Sequence, residues 1–234
     1  NLLILFFIIL FSPKNSLLAQ VTLNPGELVV LQFNSDGAAD EVVFLTLVDI
    51  PANSVIYFSD GGWDLVNGNF GSSSERGIKF TVNASGLTAG TLIKLLNPSE
   101  SLYTLEPASL GTLEFYALSG SIRTGASREL ELTNSGDQLL IFQTSNGVIT
   151  STPTFIYGFN SRNANGYLDG WQENATTLST TTTDSHLPPG LTALDGTQSN
   201  KVSATAFGIS DLNGGHKDNW QYTGSFTATD RTGW

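Results

Sequence analysis

The sequence predicts a mostly β protein of the sandwich or barrel kind, with long loops and at most one short helix. Three observations lead there. Apolar residues come in short runs between clusters of Gly, Asn, Asp, Ser and Pro, which is strand rhythm and not helix rhythm. The runs favour β-branched and aromatic residues, which fit a pleated, half-buried surface. Charged residues make up only 13% of the 234, while glycine alone numbers 24.

The elements follow in chain order. Residues 2–11 are an unbroken apolar run, followed by Pro13, Lys14 and a small Ala19. Ten residues fall well short of the roughly 20 that a spanning helix needs. The run suits the apolar core of a secretory signal, cut between Ala19 and Gln20. It lacks a basic residue ahead of it, and Asn1 stands where a start methionine is usual. The sequence therefore predicts a signal over 1–19 and one β domain over 20–234. Secretion to the extracellular space or cell surface follows.

Residues 27–33 read as a first strand, with Leu28, Val30 and Gln32 on one face and Val29, Leu31 and Phe33 on the other. Residues 34–37 turn the chain. Residues 41–49 and 54–59 are the next strands. Residues 60–75 are rich in glycine and serine and show no period. Residues 78–82 and 91–96 are expected to pair, 97–112 to form a loop, and 113–118 to form a strand. Residues 129–133 and 138–143 read as a hairpin across 134–137. Residues 154–159 form a later strand. Residues 160–200 are a long polar stretch with a threonine run at 180–183, the profile of a functional or poorly ordered loop. Residues 201–212 hold a short helix or strand.

Charge and cysteine content limit the function. Loss of Lys14 with the signal leaves nine basic against 21 acidic residues, a net charge of −12. Such a surface repels phosphate backbones and anionic membranes. No nucleic-acid partner is expected, and no membrane span once the signal is removed. There are no cysteines. A chain this long can bury enough apolar surface without disulfides, and the pattern fits a bacterial envelope or extracellular protein.

Several residue groups carry possible chemistry. Asn34, Asp36, Asp40 and Glu41 offer hard oxygen ligands around Gly37, a set that can wrap Ca²⁺. The same residues also suit an Asx turn between strands. Asp60 and Asp64 flank Trp63, either to join that cation site or to cap a loop beside a core tryptophan. Asp137 reads as a hydrogen-bonded turn residue. Tyr167, Asp169 and Trp171, with Asn165 and Gln172 nearby, offer rings for stacking on a glycan and polar groups for its hydroxyls. Equally, those rings could close the end of the core, as is expected of Trp63 and Trp220. His186 and His216 are the two histidines, and no serine sits in a Gly-x-Ser-x-Gly elbow. No catalytic constellation is nominated.

The blocks ELVVLQFNSDG (27–37), FLTLVDIPA (44–52) and VIYFSDGGW (55–63) come in an order that resembles bacterial extracellular domains related to the lamin-tail domains. Later pieces with the same likeness are SGDQ (135–138), LPPGL (187–191) and Asn219-Trp220. The resemblance implies an immunoglobulin-like β-sandwich used for adhesion or accessory binding. Such domains often stand N-terminal to phosphatases, nucleases or a sorting domain, and none of these is recognisable before Trp234. It implies no catalytic residues. The leading expectation is a non-enzymatic module that binds surface polysaccharide or an envelope protein. The alternatives are the N-terminal part of a secreted hydrolase and a calcium-rigidified spacer.

Overall fold

The structure is a computed structural model. It describes residues 21–35, 39–72, 75–98, 102–124, 130, 132, 137–161, 171–172 and 184–193, and the backbone of 167–168, 206–208 and 219–221. The expected signal lies outside these residues. No described helix is long and apolar enough to cross a membrane.

The strands, in chain order, begin with β1 (Leu28–Asn34), β2 (Asp40–Thr46), β3 (Val55–Ser59), β4 (Trp63–Asp64) and β5 (Asn69–Phe70). Next come β6 (Arg76–Val82), β7 (Leu92–Asn97), β8 (Thr104–Glu106), β9 (Gly111–Ala117) and β10 (Gln138–Thr144). The rest are β11 (Pro153–Asn160), β12 (Tyr167–Leu168), β13 (Trp171–Gln172), β14 (Ala206–Gly208) and β15 (Asn219–Gln221). A 3₁₀ turn at Ala108–Leu110 is the sole helical element among the described residues.

Two sheets form a sandwich. One has the order β15-β1-β2-β7-β8 and the other β14-β11-β10-β3-β6-β9. Their pairs are antiparallel except β11 with β14. β2 alternates strictly between buried and half-buried residues, so Val42 and Phe44 point inward and Glu41, Val43 and Leu45 outward. Between the sheets Phe44 meets Phe58 with ring centroids 4.5 Å apart, and Phe33 meets Phe159 at 4.9 Å. Aromatic pairs at such distances add to the burial of area alone.

Two bulges set which side chains reach this core. The register of β1 on β2 shifts between Val30 and Gln32, with Val30 opposite Phe44 and Phe33 opposite Val42. The extra residue, Leu31, reverses the alternation, so Phe33 joins Leu28 and Val30 on the inner face. A strict period of two had placed them on opposite faces. A second shift lies between Ile141 and Phe142. It sends Phe155 to the outer face of the six-stranded sheet and leaves Tyr157 and Phe159 in the inner core.

The pairings differ from the sequence expectation in three places. β6 pairs with β3 and β9, whereas β7 pairs with β2 and β8. The expected partners 78–82 and 91–96 thus sit in different sheets. Residues 104–106 form a strand inside the expected loop. β10 is flanked by β3 and β11, so its hairpin partner is Pro153–Asn160. Of 129–133, the described Leu130 and Leu132 are buried in the inter-sheet core.

Every residue of β10 is buried, and the reason is a third layer. Leu139 and Ile141 face the other sheet, while Leu140 and Phe142 face a separate apolar cluster. That cluster gathers Trp63, Leu118, Ile149, Trp171 and Leu191 over Tyr57 and Phe155. The covering residues come from the two-residue strands β4 and β13 and from loops, including parts of the long polar stretch. Trp171 crosses Gly158 so closely that a Cβ there would lie 3.0 Å from the indole. The third layer is laced by backbone bonds. Trp63 N–H donates to Ser185 Oγ (3.0 Å), His186 N–H to the Trp63 carbonyl (3.0 Å), and Gln172 N–H to the Ser185 carbonyl (2.8 Å).

Candidate functional site

The third layer contains a short hairpin that the sequence reading missed. β4 and β5 pair Trp63 with Phe70 and Asp64 with Asn69. Asn67-Gly68 between them is a dipeptide favoured in tight hairpin turns, and Gly68 has φ +64°. That dipeptide was the available signal. Two-residue strands give no period to read, so the segment looked featureless.

Asp64 organises the turn. Its Oδ1 accepts from Val66 N–H (2.9 Å) and Asn67 N–H (3.3 Å), and its Oδ2 from Asn67 Nδ2 (2.7 Å). Burial raises the carboxyl's pKa, but the Asn67 amide, the two backbone donors and nearby His186 outweigh it and lower the value overall. His186 Nδ1 accepts from Leu65 N–H at 3.2 Å. The hairpin is thus clamped from two sides by buried groups.

A pH dependence follows. Because the folded pKa lies below the unfolded value of about 3.9, the carboxylate's stabilisation is complete above that pH. It is lost as pH falls through the folded pKa. Asp64→Asn should cost about 1–2 kcal/mol at pH 7, as for a lost cap. The gap to the parent should narrow at pH 3. Urea midpoints at both pH values check this; an equal gap at both would contradict it.

Ser185, His186 and Asp64 invite comparison with a hydrolase triad. Ser185 Oγ instead donates to the carbonyl of His186 (2.8 Å) and accepts from Trp63 N–H. The His186 Nδ1 lone pair takes a backbone donor, with Asp64 Oδ1 3.9 Å away. A nucleophile must hand its proton to the base, and here the hydroxyl is committed elsewhere. The three residues fasten the third layer.

Beside this hairpin lies an open cleft of about 270 Å³. Its floor is Trp63, Phe70, Leu118 and Ile149; its rim is Asn69, with Thr150, Ser151 and Thr152 of the β10–β11 loop. Phe70 is half-buried, whereas Trp63 is almost fully buried. Ring packing fixes the floor. Phe70 meets Trp63 edge-on at 5.5 Å and 88°, and Phe142 at 5.2 Å, while Trp63 meets Phe155 edge-on at 5.0 Å. The β10–β11 loop is tied to the sheet by Tyr57, whose hydroxyl donates to the Gly147 carbonyl at 2.6 Å. Burial, followed by Tyr116 and Glu114, pushes the Tyr57 pKa up to about 12, so the phenol keeps its donor proton across the physiological range. None of the described lining residues is ionisable.

The residues singled out in the sequence fall elsewhere. Asp40 and Glu41 are successive strand residues and point to opposite faces. Asp40 is buried and accepts from Tyr103 Oη (3.3 Å), while Glu41 accepts from Gln32 Nε2 (3.0 Å) and meets Lys94 Nζ at 3.0 Å. Asn34 pairs with Glu41 across the strands. These three do not converge on one ion, and Asp36 lies outside the described residues. Among the described residues no group of three His, Asp or Glu is placed to hold a metal.

Trp171 is 3% exposed and packs in the third layer, so its ring is no platform for a sugar. Tyr167 is described by its backbone pairing alone, and Asp169 lies outside the described residues. Asp60 and Asp137 are buried. Asp60 Oδ1 accepts from Arg76 N–H, and its carbonyl accepts from Gln138 Nε2. Asp137 Oδ1 accepts from Gln138 N–H (2.9 Å). These contacts tie together the ends of β3, β6 and β10.

No family model matches the chain, and the comparisons with curated proteins and with solved structures give no match.

Proposed function

We propose that the chain is a secreted, non-enzymatic β-sandwich module for adhesion or accessory binding, and that it binds through the cleft beside the β4–β5 hairpin. The observation that carries the reading is the mixed lining on a fixed frame. A floor with the half-buried Phe70 ring and a rim of hydroxyl and amide groups stand beside β10, a strand buried on both faces. Small-ligand sites combine apolar walls with a few placed polar groups in this way. A pre-set frame lowers the ordering cost of binding. The likeness of residues 27–63 to lamin-tail-related, immunoglobulin-like domains points to the same kind of accessory role.

The test is an amide NMR titration with solubilised envelope polysaccharide and envelope protein fractions. Saturable shifts confined to residues 68–70 and 147–152 are expected. Turnover of a substrate without such shifts would overturn the proposal.

A further inference from the structure

We infer that the cleft takes a single ring of a neutral sugar, an inference that rests on the module reading and names its ligand. Size comes first. At about 270 Å³ the cleft lies just below the roughly 300–1,000 Å³ typical of small-molecule sites. It suits one ring, with any further chain leaving through the open side.

Charge comes second. The described lining has no Lys, Arg or His to balance a phosphate, sulfate or uronate. It has no Asp or Glu to balance an amine. The chain's formal charge of −11 adds repulsion for anions. A neutral ligand is what remains.

Chemistry comes third. The rim groups of Asn69, Thr150, Ser151 and Thr152 each donate and accept, and they line the same cleft as the Phe70 ring. A pyranose has the same division. Its hydroxyls radiate around the edge and alternate between donor and acceptor, while one face is a patch of C–H groups. That patch is weakly positive and suits the negative face of an aromatic ring. Phe70 is held by Trp63 and Phe142, so stacking costs little new order. An acyl chain or apolar side chain would use the floor and leave the rim without a role.

The experiment titrates the isotope-labelled chain with methyl glucoside, methyl galactoside, methyl mannoside and N-acetylglucosamine. Glucuronate and glucosamine serve as charged counterparts, and N-acetyl-leucine amide as an apolar probe. At least one neutral sugar is expected to give saturable shifts at Asn69, Phe70 and Thr150, and to bind tenfold or more tightly than either charged relative. Phe70→Ala should weaken it at least tenfold, while Phe70→Tyr retains it. Because Phe70 also packs on Phe142, the exposed Asn69→Ala and Thr150→Ala provide variants that leave the fold intact; each should weaken binding about three- to tenfold. Equal or tighter binding of a charged relative, or sugar shifts away from the cleft, overturns the inference. If only the apolar probe moves the cleft residues, the sugar assignment fails and the module reading stands. If neither these probes nor the envelope fractions move them, both fail.

Discussion

Gly62→Ala is expected to lift the third layer off the six-stranded sheet. A Cβ at this position would lie 1.9 Å from the Asp184 carbonyl oxygen and 3.0 Å from its carbon. Both are backbone atoms, so no side chain can swing aside, and one segment must move by more than 1 Å. The bonds closest to the clash are Trp63 N–H to Ser185 Oγ and His186 N–H to the Trp63 carbonyl. Overpacking costs about 1–3 kcal/mol, and each lost bond adds about 1 kcal/mol. The variant should therefore be about 3–5 kcal/mol less stable in urea. Trp63 and Trp171 should gain water, which red-shifts their fluorescence. The layer is poised for this response, since neither buried indole N–H has a hydrogen-bond partner among the described residues. An unchanged urea midpoint would show that the two segments are not in contact.

Phe142→Ala should be comparably damaging for a different reason. The ring is fully buried at the centre of the outer cluster. It stacks on Tyr57 at 5.3 Å and 18°, and meets Phe70 at 5.2 Å and Phe155 at 5.9 Å. Truncation removes all three contacts and leaves a cavity between a sheet and a layer of loops. Such changes cost about 3–5 kcal/mol, whereas Phe142→Leu, closer in volume, should cost about 1–1.5 kcal/mol. The loss should be non-additive with Phe70→Ala, because the two rings share one contact. A urea series on the two single variants and the double variant decides this. Strict additivity would mean that the cleft floor and the sheet are uncoupled, and that Phe142 does not set the position of Phe70.

Strand positions were legible because they are local. The strands from Leu28–Asn34 to Pro153–Asn160 mostly began and ended within a residue or two of their turn signals. The pairing was not legible. Residues 78–82 and 91–96 are neighbours in sequence and lie in different sheets, and no local signal reports a choice between two edges. Nor did the acidic cluster show that Asp40 faces the core while Glu41 faces Lys94, because one strand residue of register separates a shared site from two unrelated contacts.

The sequence by itself determined a mostly β chain with an acidic charge balance, because composition and a period of two act over a few residues. The tertiary structure alone decided the rest. Single extra residues at Leu31 and Ile156 chose which aromatics face inward. The folding back of 184–193 turned a polar stretch into a cover, and the β4–β5 hairpin brought Phe70 into one cleft with Thr150, residues 80 apart in the chain. The physical reason is that a site built by layers depends on contacts between distant segments, and these are set by the free energy of burying whole faces.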